Sequence, residues 1–108
     1  MRIAEYGVQV GSLTRGKLNK ITDVPGVRVG HATIHDEQHH TGVTVIMPCD
    51  DNMFKRKLTA ASFVLNGFGK TQGLVQVDEL GTLETPIALT NTLNVGKVHD
   101  ALVGYMAR

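Results

Sequence analysis

The apolar pattern in the last quarter of the chain changes from a short continuous run to a helical spacing. Pro86 opens the run and a Thr-Asn-Thr turn closes it, which predicts a buried strand at 86–91. Apolar residues then recur on one helical face, at Val95, Val98, Leu102 and Tyr105. Asn94 or Thr92 can cap the first N–H groups of this helix. A strand, a polar turn and a helix start form the arrangement in which α/β proteins place their chemistry.

The residues before this stretch predict a sheet. Alternating and β-branched residues at 27–34 and 42–47 predict two strands that form a hairpin across a polar loop at 35–41. Small apolar residues at 58–65 predict a central strand that enters a glycine turn, Asn66–Lys70. Strands followed by a helix place the chain in the α/β class.

Length and composition restrict the function classes. A chain of 108 residues with 42% hydrophobic and 19% charged residues is one globular domain with a modest core. A net charge of +1 argues against nucleic acid or an anionic membrane as partner. No apolar run approaches the ~20 residues that span a bilayer. The N-terminus lacks the apolar segment of a signal peptide, and residues 1–20 are expected to form an exposed arm or a short edge strand. The single Cys49 cannot form an internal disulfide, which is typical of the cytoplasm.

Three motifs partly match the patterns of metal, phosphate and nucleic-acid sites. Four histidines have the spacing of metal ligands on a helix, at His31, His35, His39 and His40. They fall on a predicted strand and loop, so we expect a solvated loop and no metal. Gly67–Thr71 resembles the end of a phosphate-binding loop, but Val64 occupies the position of the first required glycine. Lys55–Lys57 lacks interleaved aromatic residues and predicts a solvated loop. We therefore expect no cofactor.

Two polar residues are candidate substrate contacts. Glu79 follows an apolar segment, so a half-buried carboxylate that pairs with a substrate amine is one interpretation, and a surface carboxylate is the other. Asn91 ends the predicted strand, where it can donate to an oxyanion or cap the next helix. No nucleophile is evident in the sequence. Ser12 lies in the N-terminal arm, Ser62 lies inside a predicted apolar strand, and Cys49 has no obvious base partner.

Four segments form a combination that is more specific than any one of them. They are Asn19–His31; Thr41–Ile46; Asn66–Lys70 with Gly73 and Glu79–Gly81; and Thr85–Thr92 with Val95-Gly96 and Asp100-Ala101. Together they resemble the DmpA-type aminopeptidases, the family of L-aminopeptidase/D-esterase and β-peptidyl aminopeptidase. The resemblance covers nearly the whole chain, with the segments in the right order.

This resemblance implies an αββα sandwich like that of N-terminal-nucleophile hydrolases, within a much longer precursor. The precursor cleaves itself before a serine or threonine, which then acts as nucleophile with its own α-amino group as base. The nucleophile and the oxyanion asparagine of the family lie beyond Arg108. Residues 1–108 are thus expected to be the N-terminal part of one incomplete domain, inactive alone, with apolar faces that need cover. The implied partners are the remaining precursor, a small peptide or amide substrate, and further copies in a homo-oligomer.

The family roles that transfer to this chain lie on the substrate side. Glu79 matches the acidic position that in some members faces the free amino group of the substrate. Gly81 stands where some relatives have a bulkier residue, which changes the pocket shape. The turns Asn66–Lys70 and Thr90–Thr92 are expected near the cleft, with Asn91 as a second substrate-side candidate. The alternatives are an acyltransferase of similar architecture and a non-catalytic binding or assembly module.

Overall fold

The computed structural model describes residues 2–108 as a mixed α/β fold with two small sheets and two α-helices. The strands are β1 (Arg28–His35), β2 (His40–Met47), β3 (Leu58–Thr59), β4 (Thr82–Leu83) and β5 (Ile87–Thr90). The helices are α1 (Leu74–Leu80) and α2 (Val95–Met106), with 3-10 turns at Ile3–Tyr6 and Ile21–Asp23. The α/β class predicted from the sequence is confirmed. None of the helices in residues 2–108 is long and apolar enough to cross a membrane.

The larger sheet is antiparallel, with the order β1-β2-β5. β1 and β2 form the predicted hairpin, paired from Arg28 opposite Met47 to His35 opposite His40. The turn of this hairpin is shorter than the predicted 35–41 loop, because His35, His40 and Thr41 belong to the paired strands. β2 pairs with β5 on its other side, and α2 packs near β5.

The predicted central strand at 58–65 is wrong. Only Leu58 and Thr59 pair, with β4, and no strand lies beside 60–65 in the described part of the chain. Phe63 and Leu65 are 87% and 88% exposed. An apolar run becomes a central strand only where neighbours supply backbone partners, and within residues 2–108 the pairing with β4 and the bond from Ala60 N–H to the Gly81 carbonyl oxygen (2.9 Å) engage only its first three residues.

The predicted buried strand at 86–91 is present but only partly covered. Pro86 is buried, whereas Ile87 and Leu89 are exposed on one face of β5. Strand side chains alternate between faces, so one face of this strand is open to solvent.

The N-terminal arm is exposed, as expected, and forms no strand within residues 2–20. The Arg2 guanidinium donates to the carbonyl oxygens of Leu18 (2.8 Å) and Asn19 (3.2 Å). The Asp23 carboxylate accepts the backbone N–H of Lys20 (3.1 Å) and of Leu18 (2.9 Å). These two bonds hold the pKa of Asp23 below its ordinary value, and the bond from Lys20 has the larger effect.

The core within residues 2–108 is small. Its buried apolar side chains are Met53, which is 0% exposed, and Val77. The accessible surface is 8982 Å², against about 5,900 Å² for a folded monomer of this mass. The radius of gyration is 16.0 Å, against about 13 Å for a compact domain of this length. Large apolar surfaces are therefore uncovered.

Candidate functional site

Glu79 lies in the last turn of α1. This helix ends at Gly81, which adopts a left-handed conformation (φ 64°) and donates its N–H to the Val77 carbonyl oxygen at 2.8 Å. Val77 is buried, whereas Glu79 is exposed. Residues two apart in a helix lie on nearly opposite faces, so burying Val77 turns Glu79 to solvent. The half-buried interpretation of Glu79 is thus wrong for residues 2–108, and the surface interpretation holds.

Hydrogen bonds fix α1 to its surroundings. The Ser62 hydroxyl donates to the Asp78 carboxylate, so Ser62 links the exposed 60–65 segment to the helix. Gln76 Nε2 donates to the carbonyl oxygen and hydroxyl of Thr82, at 3.0 Å and 3.1 Å. Side-chain bonds at neighbouring positions therefore hold the helical turn that presents Glu79.

Asn91 organises the turn between β5 and α2. Its Oδ1 accepts the backbone N–H of Leu93 (3.1 Å) and of Asn94 (3.2 Å), and also Asn94 Nδ2 (3.0 Å). Its Nδ2 donates to Thr41 Oγ1 at 2.6 Å. Asn91 thus forms an Asx turn and ties the end of β5 to the start of β2.

Neither of the two residues predicted to cap α2 with its side chain does so. Asn94 is the N-cap residue by position, but its side chain makes no cap bond. Thr92 makes no side-chain bond to a described residue either. The preceding Asx turn at Asn91 orders the helix start instead, because its oxygen bonds the N–H of Leu93 and Asn94 before the first helical turn.

The structure does not join the two candidate residues directly. Glu79 lies in the last turn of α1, beside the β3–β4 pair, whereas Asn91 follows β5 in the larger sheet. No hydrogen bond or ion pair connects them within residues 2–108. Each is a polar group at the end of an element.

An open depression of about 390 Å³ lies on the β1–β2 hairpin. Its lining includes His31, His35, His40, Thr41 and Leu89. Thr41 also holds Asn91, so the Asn91 turn borders this depression. The Thr90–Thr92 turn is consequently placed beside a concave surface.

The four histidines lie on the hairpin and not on a helix. His31 Nδ1 lies 2.8 Å from Thr44 Oγ1, and His39 Nδ1 lies 2.9 Å from Asp36 Oδ1. His35 and His40 belong to the strands and not to a loop, contrary to expectation. In residues 2–108 no group of three or more His, Cys, Asp or Glu residues is placed to hold a metal ion.

Asp36 organises the hairpin turn. Its carboxylate accepts the backbone N–H of Gln38 (2.8 Å) and of His39 (2.7 Å). These bonds, with the His39 ring as a smaller contribution, hold the pKa of Asp36 below its ordinary value. The carboxylate therefore stays ionised and engaged at the tip of the hairpin.

The other motifs fit their structural interpretations. Gly67–Thr71 follows no strand, and α1 begins only at Leu74, so the strand–loop–helix order of a phosphate loop is missing from residues 60–80. In the basic run, Arg56 pairs with Asp51 at 2.7 Å. Lys57 lies 3.5 Å from Glu84 and 4.4 Å from the centre of the Phe54 ring. Cys49 is half-buried, and its Sγ lies 3.8 Å from the Asp51 carbonyl oxygen.

Comparisons with known proteins identify relatives. The model of peptidase family S58 matches residues 19–108. The β-peptidyl aminopeptidase BapA of Sphingosinicella xenopeptidilytica is 41% identical over 101 residues, and that of Sphingosinicella microcystinivorans is 34% identical. Each alignment covers 85% of this chain and 25% of the relative. The chain thus spans a quarter of the length of these curated relatives.

Two solved structures share the fold. The PH0078 protein of Pyrococcus horikoshii OT3 superposes with a TM-score of 0.90 and 45% identity, over 98% of this chain and 33% of that one. A β-aminopeptidase of Burkholderia sp. superposes with a TM-score of 0.86 and 48% identity, over 97% of this chain and 31% of that one. The chain therefore matches about a third of each structure.

Proposed function

The chain belongs to peptidase family S58, and on that premise we propose that it is the N-terminal part of a self-processing aminopeptidase. The complete enzyme would hydrolyse an N-terminal residue from small peptides, amides or esters. The 41% identity to a β-peptidyl aminopeptidase is the observation that carries this proposal. All four DmpA-type segments identified in the sequence lie within residues 19–108, which the family model matches.

The proposed fold of the complete protein is an αββα sandwich. In it, the β1-β2-β5 sheet would gain strands, and its open face would pack on a second sheet. The partner that supplies this cover is the rest of the same precursor, which would carry the nucleophile. The excess of about 3,000 Å² of accessible surface over a typical folded monomer of this mass supports such a partner.

The proposed chemistry is acyl transfer to water. The hydroxyl of an N-terminal serine or threonine, outside residues 1–108, attacks the substrate carbonyl, and the α-amino group accepts its proton. The leaving amine takes up that proton, and water then cleaves the ester intermediate. This sequence of steps requires no cofactor, and we assign no catalytic residue to residues 2–108.

Glu79 is proposed to receive the ammonium group of the substrate. Its carboxylate is exposed in the last turn of α1, and the bonds of Gln76 and Asp78 to neighbouring segments hold the helix that carries it. Cover from the remaining precursor would lower the local dielectric and strengthen a charge-assisted hydrogen bond. Asn91, with both ends of its amide engaged, would form part of the cleft wall.

Two further properties of the whole protein are proposals. The lone Cys49 fits a reducing compartment, so we place the enzyme in the cytoplasm. Exposed apolar faces favour assembly, so we propose a homo-oligomer of processed precursors.

Expression of the natural reading frame tests the proposed function. Mass spectrometry of the product should show cleavage before a serine or threonine, and amino-acid anilides should lose their N-terminal residue. Alanine at that position should abolish both events, because one hydroxyl performs both attacks. The 108-residue chain alone should show no turnover.

Three outcomes would contradict this proposal. Sustained turnover by the 108-residue chain alone would show that the nucleophile lies within it. A reading frame without a downstream serine or threonine would favour a binding or assembly module. Preferential transfer of the acyl group to an added amine, over hydrolysis, would favour an acyltransferase.

A further inference from the structure

Two histidine rings face each other at the closed end of the β1–β2 hairpin. His35 and His40 are the last pair in the strand register. Their Nδ1 atoms lie 2.8 Å apart, and their ring centres are separated by 4.5 Å. One ring donates its Nδ1–H to the lone pair of the other, so both nitrogens point into the same small space.

The backbone holds this pair in place. Directly opposed residues in antiparallel strands have Cβ atoms about 4.5–5.5 Å apart. The turn between them is closed by a hydrogen bond from Asp36 N–H to the His39 carbonyl oxygen at 3.0 Å. The Asp36 carboxylate bonds two further N–H groups of the turn, so the strands cannot separate at this end without breaking several bonds. The two rings are therefore presented together before any ligand arrives.

We propose that His35 and His40 form a two-histidine binding site for a borderline divalent transition ion such as Zn²⁺, Ni²⁺ or Cu²⁺. Histidine nitrogens bind zinc at about 2.0–2.1 Å, which places two such nitrogens about 2.9 Å apart at a right angle and about 3.3 Å apart at the tetrahedral angle. The observed 2.8 Å needs to open by only a few tenths of an ångström. The ion takes the place of the hydrogen atom that lies between the two Nδ1 atoms.

The protonation states allow this exchange. Binding requires a lone pair on both Nδ1 atoms, so the donor ring changes tautomer and carries its proton on Nε2 instead. Each ring stays neutral, and water fills the remaining coordination positions. The nearby carboxylate of Asp36 is already engaged by the turn and by the His39 ring, so the protein supplies two ligands.

The chemistry of the donors sets the selectivity. Imidazole suits zinc, copper and nickel, whereas Mg²⁺ and Ca²⁺ require oxygen ligands. The pair opens onto the depression on the hairpin, so an ion reaches it from solvent. A bound ion would link β1 to β2 and stabilise the hairpin. This site does not depend on the proposed peptidase function.

Calorimetric titration of the protein at its natural length with zinc chloride tests the site. We expect saturable binding of one ion per chain at this site, and no binding of magnesium chloride. His35→Gln and His40→Gln should each weaken zinc affinity by about tenfold or more, since loss of even an outer-shell partner costs about 10–100-fold. His31→Gln is the matched control. His31 is another exposed histidine of β1, but it pairs with Thr44 and should leave the affinity unchanged.

Imidazole nitrogen NMR provides the second measurement. Zinc should shift the Nδ1 resonances of His35 and His40, and circular dichroism should confirm that each variant is folded. Absence of saturable zinc binding would overturn the proposal. So would zinc binding that both glutamine variants retain, because the ion would then lie elsewhere.

Discussion

At the scale of single residues, the helical period decides what Glu79 can do. The apolar residues before Glu79 show that this segment buries one side, but not which residues face outward. In the structure Val77 takes the buried side and Glu79 is exposed. The substrate ammonium that we propose for this position would therefore displace no internal partner, since Glu79 makes no bond to another described residue.

Substitution of Glu79 tests its proposed role in substrate binding. In the complete enzyme, Glu79→Gln should weaken transition-state binding of substrates with a free amino group by about 1–3 kcal/mol, the scale of a charged hydrogen bond. Steady-state kcat/KM values on paired free and amino-blocked esters measure the effect. The blocked esters should lose less.

The N-terminal arm offers a control for Glu79. Glu5 is also an exposed glutamate, in the 3-10 turn Ile3–Tyr6, and Glu5→Gln should leave both substrate types unaffected. Equal losses on free and blocked esters in the Glu79 variant would mean that this residue has a structural role only.

At the scale of elements, the hairpin depends on a close approach at one glycine. A Cβ atom on Gly42 would collide with the Ala32 carbonyl oxygen and would lie 3.2 Å from Thr33 Cα. Gly30, also in the hairpin, has open space at the same position. Both glycines are in regular strands, Gly30 in the edge strand β1 and Gly42 in the central strand β2.

Alanine substitutions measure this difference. Gly42→Ala should lower the free energy of unfolding by about 1–3 kcal/mol, because neighbouring backbone must move. Gly30→Ala should be neutral or stabilising, since a strand glycine costs about 0.5–1 kcal/mol relative to alanine. Urea unfolding of the natural-length protein provides both values. Similar destabilisation by the two variants would contradict the predicted clash.

At the scale of the whole molecule, the main feature is the large amount of apolar surface exposed to solvent. Exposed aromatic and aliphatic side chains occupy the 60–73 segment and the open face of β5, including Phe63, Leu65, Phe68, Ile87 and Leu89. Burying even ~500 Å² of apolar surface contributes about 12 kcal/mol, which is comparable to the total stability of a small domain. Cover from another segment or copy would therefore decide whether these elements are stable.

The 108-residue chain alone tests this point. We expect it to self-associate or to melt without a sharp transition, whereas the natural-length protein should melt cooperatively. Light scattering in dilute solution and a thermal melt by circular dichroism distinguish these states. A monomeric chain that melts sharply would contradict the need for cover and would favour an independent module.

The sequence by itself determined the β1–β2 hairpin, α2 and the family. The β1–β2 hairpin and α2 followed from alternation, from β-branched residues and from helical spacing, which depend on neighbours within a few positions. The resemblance to DmpA-type aminopeptidases rested on the order of four segments, and it agrees with the match to peptidase family S58.

Only the tertiary structure decided which side chains meet and which surfaces stay open. Asn91 bonds Thr41 across 50 residues of sequence, and His35 faces His40 because the strand register brings them together. The apolar run at 58–65 looked like a central strand, but only Leu58 and Thr59 are strand residues, because residues 2–108 place no strand beside the rest of the run. Local patterns specify a backbone preference, whereas pairing and burial depend on the partner that long-range folding supplies.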